Sequence, residues 1–225
     1  MVKAILFDLD NTLIDFMKMK RASCEAAVEA MISAGVRLDK EKALRVLYEL
    51  YDTHGYEHQM IFQKFLRKLN HKIDYRILAS GIVAYRKVQL GFLEPYSRVV
   101  PTLIKLKERG LKLAIVSDAP RLKAWIRLVE MKIQDFFDVV VCFEDTRQRK
   151  PSRLPFERAV MLLGVSPKDC LMVGDWPERD IQGAKALGMK TVFARYGAMK
   201  PVRSSGADYE IASIDQLLAV VSKNI

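Results

Sequence analysis

Two aspartates, Asp8 and Asp10, stand one residue apart directly after the apolar run from Ala4 to Phe7. Carboxylates that close repel each other unless a proton or a cation offsets them, so a pair at the end of a buried segment suits acid–base work or metal binding. Three further polar signals follow the same pattern. Ser117 closes the run that begins at Lys112, Lys150 lies in the stretch RKPSRLPF, and Asp175 and Asp180 both fall in GDWPERD. Together these groups could hold a hard cation through oxygen ligands and an anion through an ammonium and a hydroxyl. Taken singly, each has a structural alternative. Asp10 and Asn11 could form a turn, Ser117 a helix cap, Lys150 a surface charge, and Asp180 a first-turn residue at a helix N-terminus.

For these residues to meet, the segments carrying them must lie side by side. Residues 2 to 9 read as a short strand, apolar throughout and closed by polar residues, as in a parallel sheet covered on both faces. From about Lys18 to Gly91 the spacing is helical only: Ala22, Ala26, Ala27, Ala30 and Met31 recur on one face, as do Leu44, Leu47, Leu50 and Tyr51. Helical runs over 59–69 and 75–90 follow. From Pro95 onward the strand-like runs LKLAIVSD, FDVVVCFED, CLMVGDW and KTVFARYG alternate with amphipathic segments at 104–109, 156–163 and 181–187. That alternation predicts a parallel α/β sheet, and the polar signals fall at its carboxyl strand ends, where open sheets of this kind bind ligands. The expected architecture is a Rossmann-like, doubly wound core of residues 1–17 and 92–225, interrupted by an all-helical insert over 18–91. Leu93 to Pro101 reads as the return linker.

Composition narrows the classes. With 225 residues, half of them hydrophobic, the chain can bury a full core. Lys and Arg exceed Asp and Glu by 37 to 27, a net charge of +10 that favours anionic ligands in general, nucleic acid and phosphorylated metabolites alike. The basic residues are dispersed at helical spacing rather than gathered in a tail, and no nucleic-acid-binding motif is present. Cys24, Cys142 and Cys170 are scattered and in apolar contexts, which predicts buried reduced thiols. Neither a signal peptide nor a membrane span is evident, so a cytoplasmic protein is expected.

The stretches FDLDNTL, Ser117, Lys150 before Pro151, and VGDWPERDIQGAKALGMKTVFARYG together closely resemble the four motifs of the haloacid dehalogenase superfamily, in order and over essentially the whole chain. The helical insert after the first motif is similar to the C1 cap of that superfamily. The resemblance implies a Rossmann-like core, a cap domain and Mg²⁺-dependent chemistry on a small phosphorylated metabolite.

The residues suit that chemistry. Phosphate monoesters hydrolyse extremely slowly unaided, so a nucleophile, an acid and charge neutralisation are all required. Asp8 is the expected nucleophile, forming an aspartyl-phosphate, and Asp10 the expected general acid and base, its proton favoured by nearby carboxylates. Asp8, Asp175 and the carbonyl of Asp10 form an expected Mg²⁺ site with Asp180 behind them. Zinc would call for His or Cys, and the three histidines, His54, His58 and His71, all lie in the insert. Lys150 and Ser117 are expected to bind the phosphoryl oxygens, with Asp118 and the amides near Leu9 and Ala119 beside them, while Thr12 steadies the loop. Asp10 argues against a dehalogenase, which needs no leaving-group proton, and the absence of DKTGT against a P-type ATPase. A sugar phosphomutase and a non-catalytic, nucleic-acid-binding protein on the same core remain as alternatives. For the substrate, a triose phosphate, a phosphoglycolate-like molecule or a mononucleotide would fit, and one of the smaller two is expected. Lys18, Lys20, Arg21, His54 and Arg86 are candidates to meet it, Trp176, Arg147 and Arg149 candidates for the entrance, and the protein is expected to be a monomer or a homodimer.

Overall fold

The computed structural model describes residues 1–70 and 72–224; His71, one of the insert histidines, lies outside them. Strand β1 (Ala4–Phe7) is followed by four helices, α1 (Phe16–Ser33), α2 (Lys40–His54), α3 (Ile61–Asn70) and α4 (Tyr75–Gly91). The chain continues through α5 (Val99–Glu108), β2 (Lys112–Val116), α6 (Arg121–Glu130), β3 (Val139–Val141), α7 (Phe143–Thr146) and α8 (Arg153–Leu163). It ends with β4 (Cys170–Gly174), α9 (Gln182–Lys185), β5 (Lys190–Ala194), β6 (Tyr209–Ile211) and α10 (Leu217–Ser222). Two compact units result: Met1–Phe16 with Glu94–Ile225, and Met17–Leu93.

In the first unit six parallel strands form one sheet in the order β3-β2-β1-β4-β5-β6. This is the doubly wound order of a Rossmann-like core, and the order reverses beside β1. β1 therefore sits centrally, with Phe7 paired to Ile115 of β2 on one side and Val173 of β4 on the other. Ala4, Ile5, Leu6 and Phe7 are all fully buried, so the apolar run is explained by helices covering both faces. Ala4 and Leu6 join Ala114, Val116 and Met172 against Phe156, Ala159, Val160 and Leu163 of α8, while Ile5 and Phe7 turn to the opposite face. Each fully buried side chain of Leu or Phe size contributes roughly 1.5–3 kcal/mol, so the strand fixes the height at which Asp8 emerges.

Three elements lie where the sequence reading did not place them. Helix α5 starts at Val99, inside the expected return linker, with Pro101 as its third residue; the missing N–H of proline is harmless in a first turn. β6 and α10 complete the sheet edge and its cover beyond the last expected strand. The second unit packs Cys24, Ala27, Val28 and Met31 of α1 with Leu47 and Tyr51 of α2, Phe62 and Phe65 of α3, and Ile77 and Leu78 of α4. Asp39 caps α2 by accepting from the Lys42 amide at 2.9 Å, and Asp74 caps α4 through the amides of Arg76 and Ile77. Cys24, Cys142 and Cys170 are free and buried, as expected. Among the described residues no helix is long and apolar enough to cross a membrane.

Candidate active site

β1 stops at Phe7 because the polar residues after it leave the ladder in stages. The Asp8 amide still donates to the Val173 carbonyl at 2.9 Å, which holds Asp8 between the ends of β1 and β4. Asn11 then turns the chain at φ 59°, a left-handed conformation that Asn tolerates better than most residues, and the Leu13 amide closes the loop on the Leu9 carbonyl at 2.9 Å. Thr12 lies fully buried in this loop. Its hydroxyl is 3.3 Å from Asp175 Oδ1, and its carbonyl accepts from the Tyr196 hydroxyl at 2.7 Å. The loop is thus tied to the ends of β4 and β5.

Lys150 organises the acidic cluster. Its ammonium, 3% exposed, lies 2.5 Å from Asp8 Oδ1 and 2.6 Å from Asp180 Oδ1. Asp8, Asp175 and Asp180 each offer an oxygen within 4.8 Å of the others. Burial pushes the Asp8 carboxyl up to about 7, with Asp180 and Asp10 adding to the rise and Lys150 opposing it. Asp175 is pushed up to about 9, again first by burial, then by Asp8 and Asp180. Burial pulls the Lys150 ammonium down, but Asp180, Asp8 and Asp118 more than reverse this and hold it above the usual lysine range. If all three carboxyl groups are ionised, they outnumber the one ammonium by two negative charges in a buried space. An all-oxygen donor set with that surplus fits a hard divalent cation, and no sulfur or imidazole stands among its members.

The surrounding residues aim these groups. Asp118 accepts from the Lys150 backbone amide at 2.9 Å and from Arg179 Nη1 at 3.3 Å, so this expected substrate ligand is engaged in fixing the Lys150 segment. Ser117 is buried at the end of β2, and its hydroxyl oxygen accepts from the Ala119 amide at 3.2 Å. Asp180 sits in a π-helical turn, Pro177–Ile181, in which the Gln182 amide reaches back to the Pro177 carbonyl. Single turns of this kind recur at functional sites because they re-aim a side chain. The Asp180 carboxylate also accepts from the Trp176 amide at 3.0 Å. Trp176 itself stacks under Arg179, whose guanidinium carbon lies 4.0 Å from the ring centroid.

Asp10 has a neighbour that the sequence reading did not anticipate. Besides the carboxylate of Asp8, it meets the guanidinium of Arg127, with Nη1 2.8 Å from Asp10 Oδ2. Arg127 was legible only as a basic residue on the face of α6 that also carries the buried Ala124 and Leu128. The expected ligands in the insert lie in the second unit. There Lys20 is buried, 3.0 Å from the Tyr85 hydroxyl and 4.5 Å from the Tyr51 ring centroid, whereas Lys18, Arg21, His54 and Arg86 are exposed. Arg147 and Arg149 are exposed as well.

Two glycines were also missed as site residues, because a missing side chain leaves no chemical signal. A Cβ on Gly174 would run into the Asp180 carboxylate, and one on Gly197 would run into the Asn11 carbonyl and the Asp175 side chain. Gly197→Ala is therefore expected to cost about 1–3 kcal/mol by overpacking and to displace Asp175, which a lowered Tm and weakened divalent-cation binding would report. Unchanged values for both would show that the loop yields freely.

The sequence and the fold have parallels in known proteins. Residues 2–188 match the haloacid dehalogenase-like hydrolase family. The chain is 36% identical over 227 residues to the glyceraldehyde 3-phosphate phosphatase of Methanopyrus kandleri, across 98% of this chain and 97% of that one. It is 34% identical over 226 residues to the protein of the same name from Methanocaldococcus jannaschii, across 100% and 99% of the two chains. Its fold superposes on the crystal structure of a HAD phosphatase from Thermococcus onnurineus with a TM-score of 0.74, at 27% identity and over 98% of both chains. A central strand ending in Asp8, a lysine shared with an acidic cluster at the switch point of the sheet, and a match over most of the sequence lead to one conclusion: this chain belongs to the haloacid dehalogenase-like hydrolases.

Proposed function

We propose that this protein is a Mg²⁺-dependent phosphatase acting on a small phosphorylated metabolite, with a triose phosphate such as glyceraldehyde 3-phosphate as the first candidate. The observation that carries the reading is Lys150, whose ammonium contacts both Asp8 and Asp180 at the switch point of the sheet. The substrate class is supported by the names of the relatives that match over nearly the full chain.

Asp8 attacks phosphorus, forming an Asp8–phosphorus bond as the bond to the leaving oxygen breaks, and Asp10 gives that oxygen a proton. Water then attacks the aspartyl-phosphate, Asp10 takes a proton from it, and Asp8 is released. Lys150 keeps one Asp8 oxygen fixed and, with Ser117 and the neighbouring amides, offsets charge on the phosphoryl oxygens. Asp8, Asp175 and the Asp10 carbonyl would hold Mg²⁺, which when bound neutralises phosphoryl charge that the acidic cluster would otherwise repel. Asp180, taken up by Lys150 and the Trp176 amide, orients the cluster from behind.

Phosphate release from a panel of triose phosphates, phosphoglycolate, mononucleotides and p-nitrophenyl phosphate, with Mg²⁺ and with EDTA, tests this reading. Turnover of a small metabolite that needs Mg²⁺ is expected; no release from any member would refute it. Asp10→Asn should lower kcat on an alkyl phosphate by about 10²–10⁴-fold. In the first half-reaction, read as leaving-group release in a single turnover, it should slow the alkyl phosphate far more than p-nitrophenyl phosphate, whose phenolate leaves without a proton, and equal losses in that step would remove Asp10 from the acid role. The helical segment over 18–91 is assigned the choice of substrate. Replacing it with a short linker should flatten the preference across the panel, and an unchanged ranking would place selectivity in the sheet-bearing unit.

A further inference from the structure

Arg127 is the one described arginine whose side chain is almost wholly withdrawn from water beside the first-motif loop. Only 4% of that side chain is exposed, Nη1 lies 2.8 Å from Asp10 Oδ2, and its guanidinium carbon stands 4.6 Å from the centroid of the Phe16 ring. Arg127 projects from the middle of α6, between the buried Ala124 and Leu128, so its origin is fixed by the packing of that helix. Phe16 is itself buried, and it shares the loop's downstream end with Ile14, which bridges to Asp10. The guanidinium therefore touches both the Phe16 ring and the Asp10 carboxylate.

Burying a guanidinium is costly, and an apolar residue of similar volume usually serves packing as well or better. A charge kept at this position calls for a role that an apolar side chain could not fill. Arginine suits the task of holding a carboxylate, because its planar fork is rigid and stays protonated throughout. Asp10 needs such a hold. It follows the last residues of β1 in a loop that turns at Asn11, outside the strand ladder. An acid has to come within about 2.6–3.2 Å of the leaving oxygen, and a misplacement of about 1 Å can cost about 10²-fold.

We propose that Arg127 is the positioning residue for Asp10, holding the carboxyl group through Oδ2 so that it meets the leaving oxygen in the first half-reaction and water in the second. The inference rests on the phosphatase reading. In the first half-reaction the proton passes from Asp10 to the leaving oxygen. In the second it returns to Asp10 from water, and Arg127 keeps its own protons in both. The residue acts through Asp10 and does not touch the phosphoryl group.

The test compares wild type, Arg127→Gln, Arg127→Lys, Asp10→Asn and the double variant Asp10→Asn/Arg127→Gln. Each is assayed with Mg²⁺ on glyceraldehyde 3-phosphate and on p-nitrophenyl phosphate. The readout is the ratio of the two single-turnover rates of leaving-group release, which reports the first half-reaction alone and does not depend on the fraction of each preparation that is folded. Arg127→Gln is expected to lower the single-turnover rate of leaving-group release on the alkyl phosphate by about 10²-fold with KM nearly unchanged, and that on p-nitrophenyl phosphate by less than about threefold. Arg127→Lys, which keeps the charge but loses the fork, should recover most of the ratio. In the Asp10→Asn background the Arg127→Gln change should cost nothing further on the alkyl phosphate, because there is no acid left to position. Equal losses on both substrates, or losses that multiply in the double variant, would overturn the role while leaving the phosphatase reading in place. Wild-type protein that hydrolyses neither compound would overturn both.

Discussion

Asp8→Asn is expected to abolish phosphate release, a loss on the order of 10⁴-fold or more, while the fold remains intact. The amide keeps the shape of the carboxyl group but cannot attack phosphorus, and no other described carboxylate is held at the end of β1. Stability should move the other way. The Asp8 carboxyl is raised from 3.8 to about 7, first by burial and then by Asp180 and Asp10. A carboxyl raised on folding contributes stability below its unfolded value and loses it as pH climbs through the folded value. In EDTA at pH 8 the wild type therefore carries the full cost of an ionised, buried Asp8, and the variant does not. Lys150 keeps Asp180 as a partner at 2.6 Å. The Tm of Asp8→Asn in EDTA should accordingly equal or exceed that of the wild type. A variant retaining a tenth of the activity would exclude an aspartyl-phosphate at this residue.

Lys150→Met should lose activity and stability together, which separates its role from that of Asp8. Removing the ammonium leaves Asp8, Asp175 and Asp180 facing one another in a buried space. Breaking a buried ion pair by deleting one partner typically costs 3–5 kcal/mol, about 10 °C in Tm for a chain of this size. The deficit has a direction in pH. Without Lys150 the carboxyl groups are raised further, so the stability lost between about pH 4 and pH 8 grows, and the gap from wild type in EDTA should narrow as the solution is made acidic. Melting curves at pH 5 and pH 8 would show this. A gap that is the same at both values would mean that Lys150 contributes packing rather than charge.

Much of this site could be read from the sequence because its parts announce themselves chemically. Asp8 and Asp175 are charges at the ends of apolar runs, with Lys150 and Asp180 in the polar stretches that follow β3 and β4, and strand pairing in a parallel sheet carries such ends to one edge. The parallel α/β sheet was expected from the alternation after Pro95, and the six parallel strands bear it out. Other features had no such signal. β6 is three residues with Glu210 exposed, too short and too polar for a periodicity. Pro101 reads as a break, yet a proline in the first turn of α5 interrupts no hydrogen bond. Arg127 looks like one more solvated charge until Ala124 and Leu128 show that its face of α6 is the buried one. Gly174 and Gly197 matter through the atoms they lack. For Asp118, expected beside the substrate, the sequence held no sign that its oxygens would accept from the Lys150 amide and Arg179.

The central claim is that phosphate passes through Asp8, and the most direct measurement is the mass of the protein quenched in acid during the first turnover. With Mg²⁺ and a substrate the protein hydrolyses, a fraction of the wild-type chains should gain the mass of one phosphoryl group, appearing before free phosphate accumulates. After digestion the added mass should reside on the peptide containing Asp8, and Asp8→Asn should show none. A phosphoryl group found on another residue, or the same added mass in Asp8→Asn, would contradict the account.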